Sequence, residues 1–258
     1  MNRIQTRQRL GLGVLCAVLV GGLFLQTSKG EEGYEAGRGL ISLEGPSGLF
    51  INPTSATLPE DAGTAQYCVF FPNNKTDTVG HGLIGAFGLA DNFEVGAQAT
   101  ILDLPQGKER FAAGPFARYR LLKNDGYTPQ ASIGAYSRVG DRVLNKGAIF
   151  GALYWRAALS EDGLVRSVGL HSGMRQVWFD NDAALNDEFA WYNGLEVQLP
   201  LRVYAVGEVS TRDNQAHTPF AYGLQWRAAG IAMSAAGIQN GNTSDVSFYY
   251  GIGYSTAF

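Results

Sequence analysis

Six arginines and three glutamates are the residues whose spacing could do chemistry: Arg118, Arg120, Arg138, Arg156, Arg175 and Arg227, with Glu94, Glu196 and Glu208. Each stands in the polar register of a segment whose other register is apolar. If each glutamate neutralises one arginine, positive charge is left over, and a ring of arginines in a confined passage favours anions. The same nine residues also suit a filled lumen, where Arg–Glu networks hold a wall together. No His-Glu-x-x-His pair, Cys-x-x-Cys, Gly-x-Ser-x-Gly or phosphate loop occurs, so no catalytic residue, metal or cofactor is expected. His81, His171 and His217 fall on three separate segments. A lipid-facing hydrolase needs a Ser–His pair exposed to lipid. "LHSGM" instead puts His171 on the face of Gly169, Gly173 and Arg175, the polar one. "FDNDAALNDE" gathers Asp180, Asp182, Asp187 and Glu188. It lacks the ligand spacing and glycine of a calcium loop and reads as a solvated acidic loop.

The elements that must position these charges are strands. "NFEVGAQATIL" sets Phe93, Val95, Ala97, Ala99 and Ile101 against Glu94, Gly96, Gln98 and Thr100. "EFAWYNGLEVQL" sets Phe189, Trp191, Leu195, Val197 and Leu199 against Tyr192, Gly194, Glu196 and Gln198. Period two means a strand with two different surroundings. The pattern predicts strands over 64–72, 80–90, 93–103, 110–122, 128–139, 147–160, 164–178, 188–199, 202–212, 219–228, 230–239 and 246–258. That is twelve, or ten if two weak segments are loops, each long enough to cross a bilayer at a tilt. Connections after even-numbered strands read as short and those after odd-numbered strands as longer and polar, the alternation of a transmembrane barrel. The apolar register avoids charge, as it must, because a basic residue at the lipid midplane costs about 2–4 kcal/mol. The expected fold is an all-β, antiparallel transmembrane barrel at residues 63–258, preceded by a short periplasmic or plug segment.

Both chain ends agree with export to a bacterial outer membrane. Arg3, Arg7 and Arg9 precede an apolar run from Leu10 to Leu25, and Ser28–Gly30 offers small residues. Residues 1–30 read as a cleaved signal peptide. Removing them takes Lys+Arg from 20 to 16 against 23 Asp+Glu, a net charge of −7, which disfavours nucleic acid as a partner. The chain ends in "SFYYGIGYSTAF", with Phe248, Tyr250, Ile252, Tyr254 and Phe258 in one register. A last strand must pair with the first, or unpaired edges face lipid. The terminal aromatic resembles the signal read by the barrel-assembly machinery of outer-membrane proteins.

Residues 31–62 follow no strand period and are rich in Gly and Pro. Gly48, Leu49, Pro53, Thr54, Pro59, Glu60, Asp61 and Gly63 resemble the "GL…PTA…PEDG" entry before the barrel in the YjbH-like family of outer-membrane proteins. "FGLADNFEVG" resembles that family's strand–turn–strand unit. The similarity covers mainly residues 39–100 and implies a link to exopolysaccharide production. The sequence is compatible with three functions: a narrow channel or export-associated barrel for saccharide or small anions; a closed structural or adhesion barrel acting through its outer loops; and a lipid-facing hydrolase. Outer-membrane lipid and the assembly machinery are the expected partners of the fold itself.

Overall fold

A computed structural model describes residues 48–72, 78–123, 128–159, 162–179, 187–212, 216–228, 230–239, 241 and 244–256. Among them twelve strands form one closed barrel. They are β1 (Gly63–Phe71), β2 (Val79–Ala90), β3 (Phe93–Leu104), β4 (Lys108–Leu122), β5 (Gln130–Gly140), β6 (Lys146–Ala158), β7 (Ser167–Phe179), β8 (Glu188–Gln198), β9 (Val203–Arg212), β10 (Phe220–Ala228), β11 (Ile231–Gln239) and β12 (Ser247–Ser255). Every neighbour is sequential and antiparallel, and β12 closes on β1 from Thr64↔Ser255 to Phe71↔Phe248. The ten-strand alternative is excluded. We call the end where β1 begins the lower rim and the opposite end the upper rim.

Period two decides which side chain meets which medium. Leu83, Leu153, Leu195, Leu224, Phe248 and Tyr250 point outward and are exposed. All nine charges named above point inward. The outward face is the apolar band of a barrel that spans a membrane, with every strand edge paired inside the ring. Leu195→Arg should therefore lower the unfolding free energy by about 2–4 kcal/mol relative to Leu195→Ala. Urea titration of the protein refolded into lipid vesicles reads that difference. Equal stabilities would reverse the facing of β8.

The alternation of connection lengths is weaker than the sequence pattern suggests. The upper β3–β4 connection is only Pro105–Gly107. Gln106 and Gly107 there take left-handed φ of 68° and 73°, which lets the chain reverse within three residues. The lower connections at 123–129 and 159–166 match the upper ones in length. Phe258 and the segment 1–47 lie outside the described residues. Phe248 and Tyr250 face outward in β12 as their register requires, while Ser247 and Tyr249 are buried inside.

A twelve-strand ring encloses more space than short side chains fill. Part of that space is taken by wall residues, including Phe116, Tyr136, Phe150 and Val177, which pack together. Much of what is left is occupied by the chain's own residues 48–58. Leu49 to Leu58 are buried without exception. Within the segment before the barrel, residues 49–58 lie inside the lumen.

Candidate functional site

The lumen is built around this strap. Its tip is a tight turn: Gly48 bridges Pro53, and the Leu49 N–H donates to the Asn52 carbonyl at 3.0 Å. The turn aims three successive backbone N–H groups the same way. The Glu208 carboxylate on β9 accepts from Phe50 N at 2.8 Å, Ile51 N at 2.6 Å, and Asn52 N at 3.1 Å. Asn52 Nδ2 adds a fourth donor at 2.8 Å. Such a concavity of amides is an anion site, and here the anion is the protein's own. Gln225 on β10 donates to the Leu49 carbonyl. Around these contacts Leu49, Phe50 and Ile51 pack with Cys68, Tyr204, Val206 and Tyr249.

The strap then crosses to the opposite wall. Arg118 Nη1 donates to the Thr54 carbonyl at 2.9 Å and Gln130 Nε2 to the Ser55 carbonyl at 2.7 Å. Arg118 Nη2 lies 2.9 and 2.8 Å from the two Glu94 oxygens, and neither side chain has any exposed surface. The Leu58 N–H donates to the same glutamate at 2.8 Å. One buried ion pair thus holds both wall and strap. At the lower rim the Asp61 N–H donates to the Gly88 carbonyl and the Gly88 N–H to the Ala62 carbonyl. Gly88 is required there: a Cβ would sit 1.9 Å from the Pro59 carbonyl oxygen. A Cβ at Gly194 would clash only with the end of the Leu49 side chain, at 2.3 Å.

The remaining charges form separate groups. Arg227 Nη2 donates to Glu196 Oε2 at 2.9 Å, and its guanidinium lies 4.1 Å over the Tyr204 ring. Arg156 Nη2 donates to Gln198 and Arg120 Nη2 to the Asp91 carbonyl. Arg175 is buried among the wall residues. Arg138 Nη1 donates to Thr100 Oγ1 at 2.9 Å, near the upper rim.

Simple pairing of each glutamate with an arginine therefore does not describe the lumen. Glu208 receives backbone amides where the sequence suggested guanidinium. Glu188 does not belong to the acidic loop: it begins β8 and is buried inside. Its register places it inward, as the alternation of β8 requires. Asp187 is exposed, while Asp180 and Asp182 lie outside the described residues. Among the described residues no group of His, Cys, Asp and Glu could hold a metal ion.

His171 lies in the lumen, its ring 4.4 Å from that of Tyr154. His217 is exposed. His81 is the histidine on the outward face. Its Nδ1 is 2.7 Å from Tyr67 Oη and its Nε2 3.4 Å from Asp103. These partners are not the serine a lipid-facing hydrolase needs.

Sequence reasoning named Gly48, Leu49 and Pro53 only for a family resemblance, and it missed Phe50, Ile51 and Asn52 of the tip and the two strap-holding side chains, Gln130 and Gln225. The available signal was the apolar triplet Leu49-Phe50-Ile51, followed by Asn52-Pro53, in a segment without strand period. An apolar run that cannot enter a sheet must be buried elsewhere.

Above the strap tip a cavity of about 330 Å³ remains, with Ile51 among its lining residues. Arg138 and Lys146 lie on its wall.

No family model and no curated protein matches the chain. Among solved structures it is similar to the KdgM porin, with a TM-score of 0.54 at 10% identity, covering 74% of this chain and 98% of that one. It is also similar to the KdgM porin in complex with disordered oligogalacturonate, with a TM-score of 0.51 at 10% identity, covering 76% of this chain and 99% of the other. At such identities the likeness is one of fold, that of an outer-membrane barrel.

Proposed function

We propose that this protein is an outer-membrane channel for anionic solutes whose lumen is closed at rest by its own strap. The observation that carries this reading is the strap's construction. It is not part of the wall, and polar side chains hold its backbone across an interior rich in buried Arg, Glu and Gln. A barrel serving only as a scaffold could fill this space with apolar wall residues. Among the described residues, basic groups in the inward register still outnumber acidic ones: Lys146 and Arg110 join the six arginines, and Glu188 joins the three glutamates. Once the strap is displaced, that excess acts in a confined space, where screening is weaker than in bulk. The upper rim is assigned to the cell exterior and the lower rim to the periplasm.

Anionic saccharides are one cargo class that fits this charge. The motif similarity to the YjbH-like family and the oligogalacturonate complex of the KdgM porin both support that class. A second reading, a closed barrel acting through its upper connections, is favoured by how many strap backbone groups have partners inside the lumen.

Planar-bilayer recording separates the two. The full chain should conduct in rare, small events. A variant lacking residues 48–58 should conduct at least about tenfold more and prefer chloride to potassium under a salt gradient. A deletion variant that assembles, judged by faster gel migration before boiling than after, yet stays silent would establish the closed barrel instead.

A further inference from the structure

The cavity above the strap tip has a chemical character the channel reading does not use. Its volume, about 330 Å³, lies at the lower end of the range of small-molecule sites, roughly 300–1,000 Å³. One side is apolar, formed by Phe70, Ile84, Leu102 and Ile238, with Ile51 contributed by the strap. The other side is basic, formed by Arg138 and Lys146, with Thr100 and Gln98 beside them. Among the described residues no acidic side chain lines it.

The basic side is organised. Arg138 is buried. Its Nη1 donates to Thr100 Oγ1 at 2.9 Å and its Nε to the Leu144 carbonyl at 3.4 Å. Two anchors on different elements fix the plane of the guanidinium, and a planar fork in fixed orientation suits a carboxylate. The Lys146 ammonium is 5.9 Å from the Tyr136 ring centroid, which draws the second cation to the same wall.

We propose that this vestibule binds a small amphipathic carboxylate, a medium-chain aliphatic or aryl acid. Its head would lie against Arg138 and Lys146 and its body against the apolar wall. The walls argue against a sugar acid as the preferred occupant. A ring bearing several hydroxyls would press them on Ile51, Phe70, Ile84 and Ile238, which offer no side-chain partner, and unpaired buried hydroxyls are costly. A bare inorganic anion would leave the apolar wall uncovered. The site needs the strap in place, because Ile51 is part of its wall. It is therefore a property of the closed barrel and does not depend on the strap ever leaving.

The test uses the full chain refolded in a non-ionic detergent and isothermal titration with octanoate, benzoate and galacturonate. Octanoate or benzoate should bind at least about tenfold tighter than galacturonate. Arg138→Gln with Lys146→Gln should weaken octanoate about tenfold or more. In unmodified protein, octanoate should slow the labelling of Cys68, one of the lining residues, by methyl methanethiosulfonate, which forms a mixed disulfide and releases methanesulfinate, read by mass spectrometry of its peptide. Galacturonate should not slow it. Equal or tighter binding of galacturonate, or octanoate binding with no protection of Cys68, would overturn the proposal. Loss of channel activity on strap deletion would count against the channel alone, since these measurements are made with the strap seated.

Discussion

Arg118→Met should destabilise the barrel by about 3–5 kcal/mol, the usual cost of removing one partner from a buried ion pair. The pair is fully enclosed: both side chains have no exposed surface, and the guanidinium reaches both Glu94 oxygens and the Thr54 carbonyl. Removing the cation leaves a carboxylate with one amide donor, Leu58 N, and a strap carbonyl with none of its former contact to Arg118. Arg118→Met combined with Glu94→Gln should recover part of the loss, because the residual buried charge disappears with it. Urea unfolding in vesicles, followed by tryptophan fluorescence, measures both variants. A loss below about 1 kcal/mol is the value of an exposed pair. It would mean that water reaches the Glu94–Arg118 contact and that the lumen is open there.

Glu208→Ala should act differently, on the strap more than on the wall. Four donors lose their acceptor at once: the N–H groups of Phe50, Ile51 and Asn52, and Asn52 Nδ2. Hydrogen bonds to a charged group contribute about 1.5–3 kcal/mol each. They do not sum here, because the freed amides regain water when the tip lifts. The expected outcome is frequent openings in planar bilayers, at least about tenfold above the unmodified chain, and new protease cleavage between residues 48 and 58. Glu208→Gln should be intermediate. It keeps the volume but presents an amide NH₂ to a set of donors, so at most one oxygen still accepts. If Glu208→Ala stays silent and protected, the apolar packing of Leu49, Phe50 and Ile51 holds the tip, and the carboxylate does not.

The wall was legible in the sequence because its signal is local. Alternation along β8 separates Trp191 and Leu195 from Tyr192 and Glu196 whatever the neighbours are, and inward facing follows from the cost of charge in lipid. Strand bounds such as Phe93–Leu104 and Glu188–Gln198 agree with the sequence pattern to within a residue. The strap was not legible in this way. Its contacts join residues far apart in the chain, Phe50 with Glu208 and Leu58 with Glu94, and no periodicity records them. An inward carboxylate has the same sequence signature whether it meets a guanidinium or a row of amides. Glu208 could therefore be placed in the lumen but not paired. Glu188 stood both in the acidic run and at the start of the strand expected over 188–199, and its inward register in β8 decides between the two. The cavity depends on the strap's depth, so Arg138 could be named as a lumen charge without the apolar wall that faces it.

The two ends of the strap are not mechanically equivalent. At the downstream end Gly63 is tied to the seam of the ring: its N–H donates to Thr256 Oγ1 at 2.8 Å and its carbonyl accepts from Thr256 N at 2.9 Å. The paired contacts of Asp61 and Ala62 with Gly88 lie beside it. Load applied there is shared in parallel by bonds that also close the barrel. Load applied at residue 48 meets its contacts in series: the Leu49 carbonyl, the amides on Glu208, then Thr54 and Ser55, and last Leu58. Contacts in series rupture one at a time, so the force needed is that of the strongest single attachment rather than their sum. A slow pull from the lower side would peel the strap out in a fixed order of steps while the seam stayed shut.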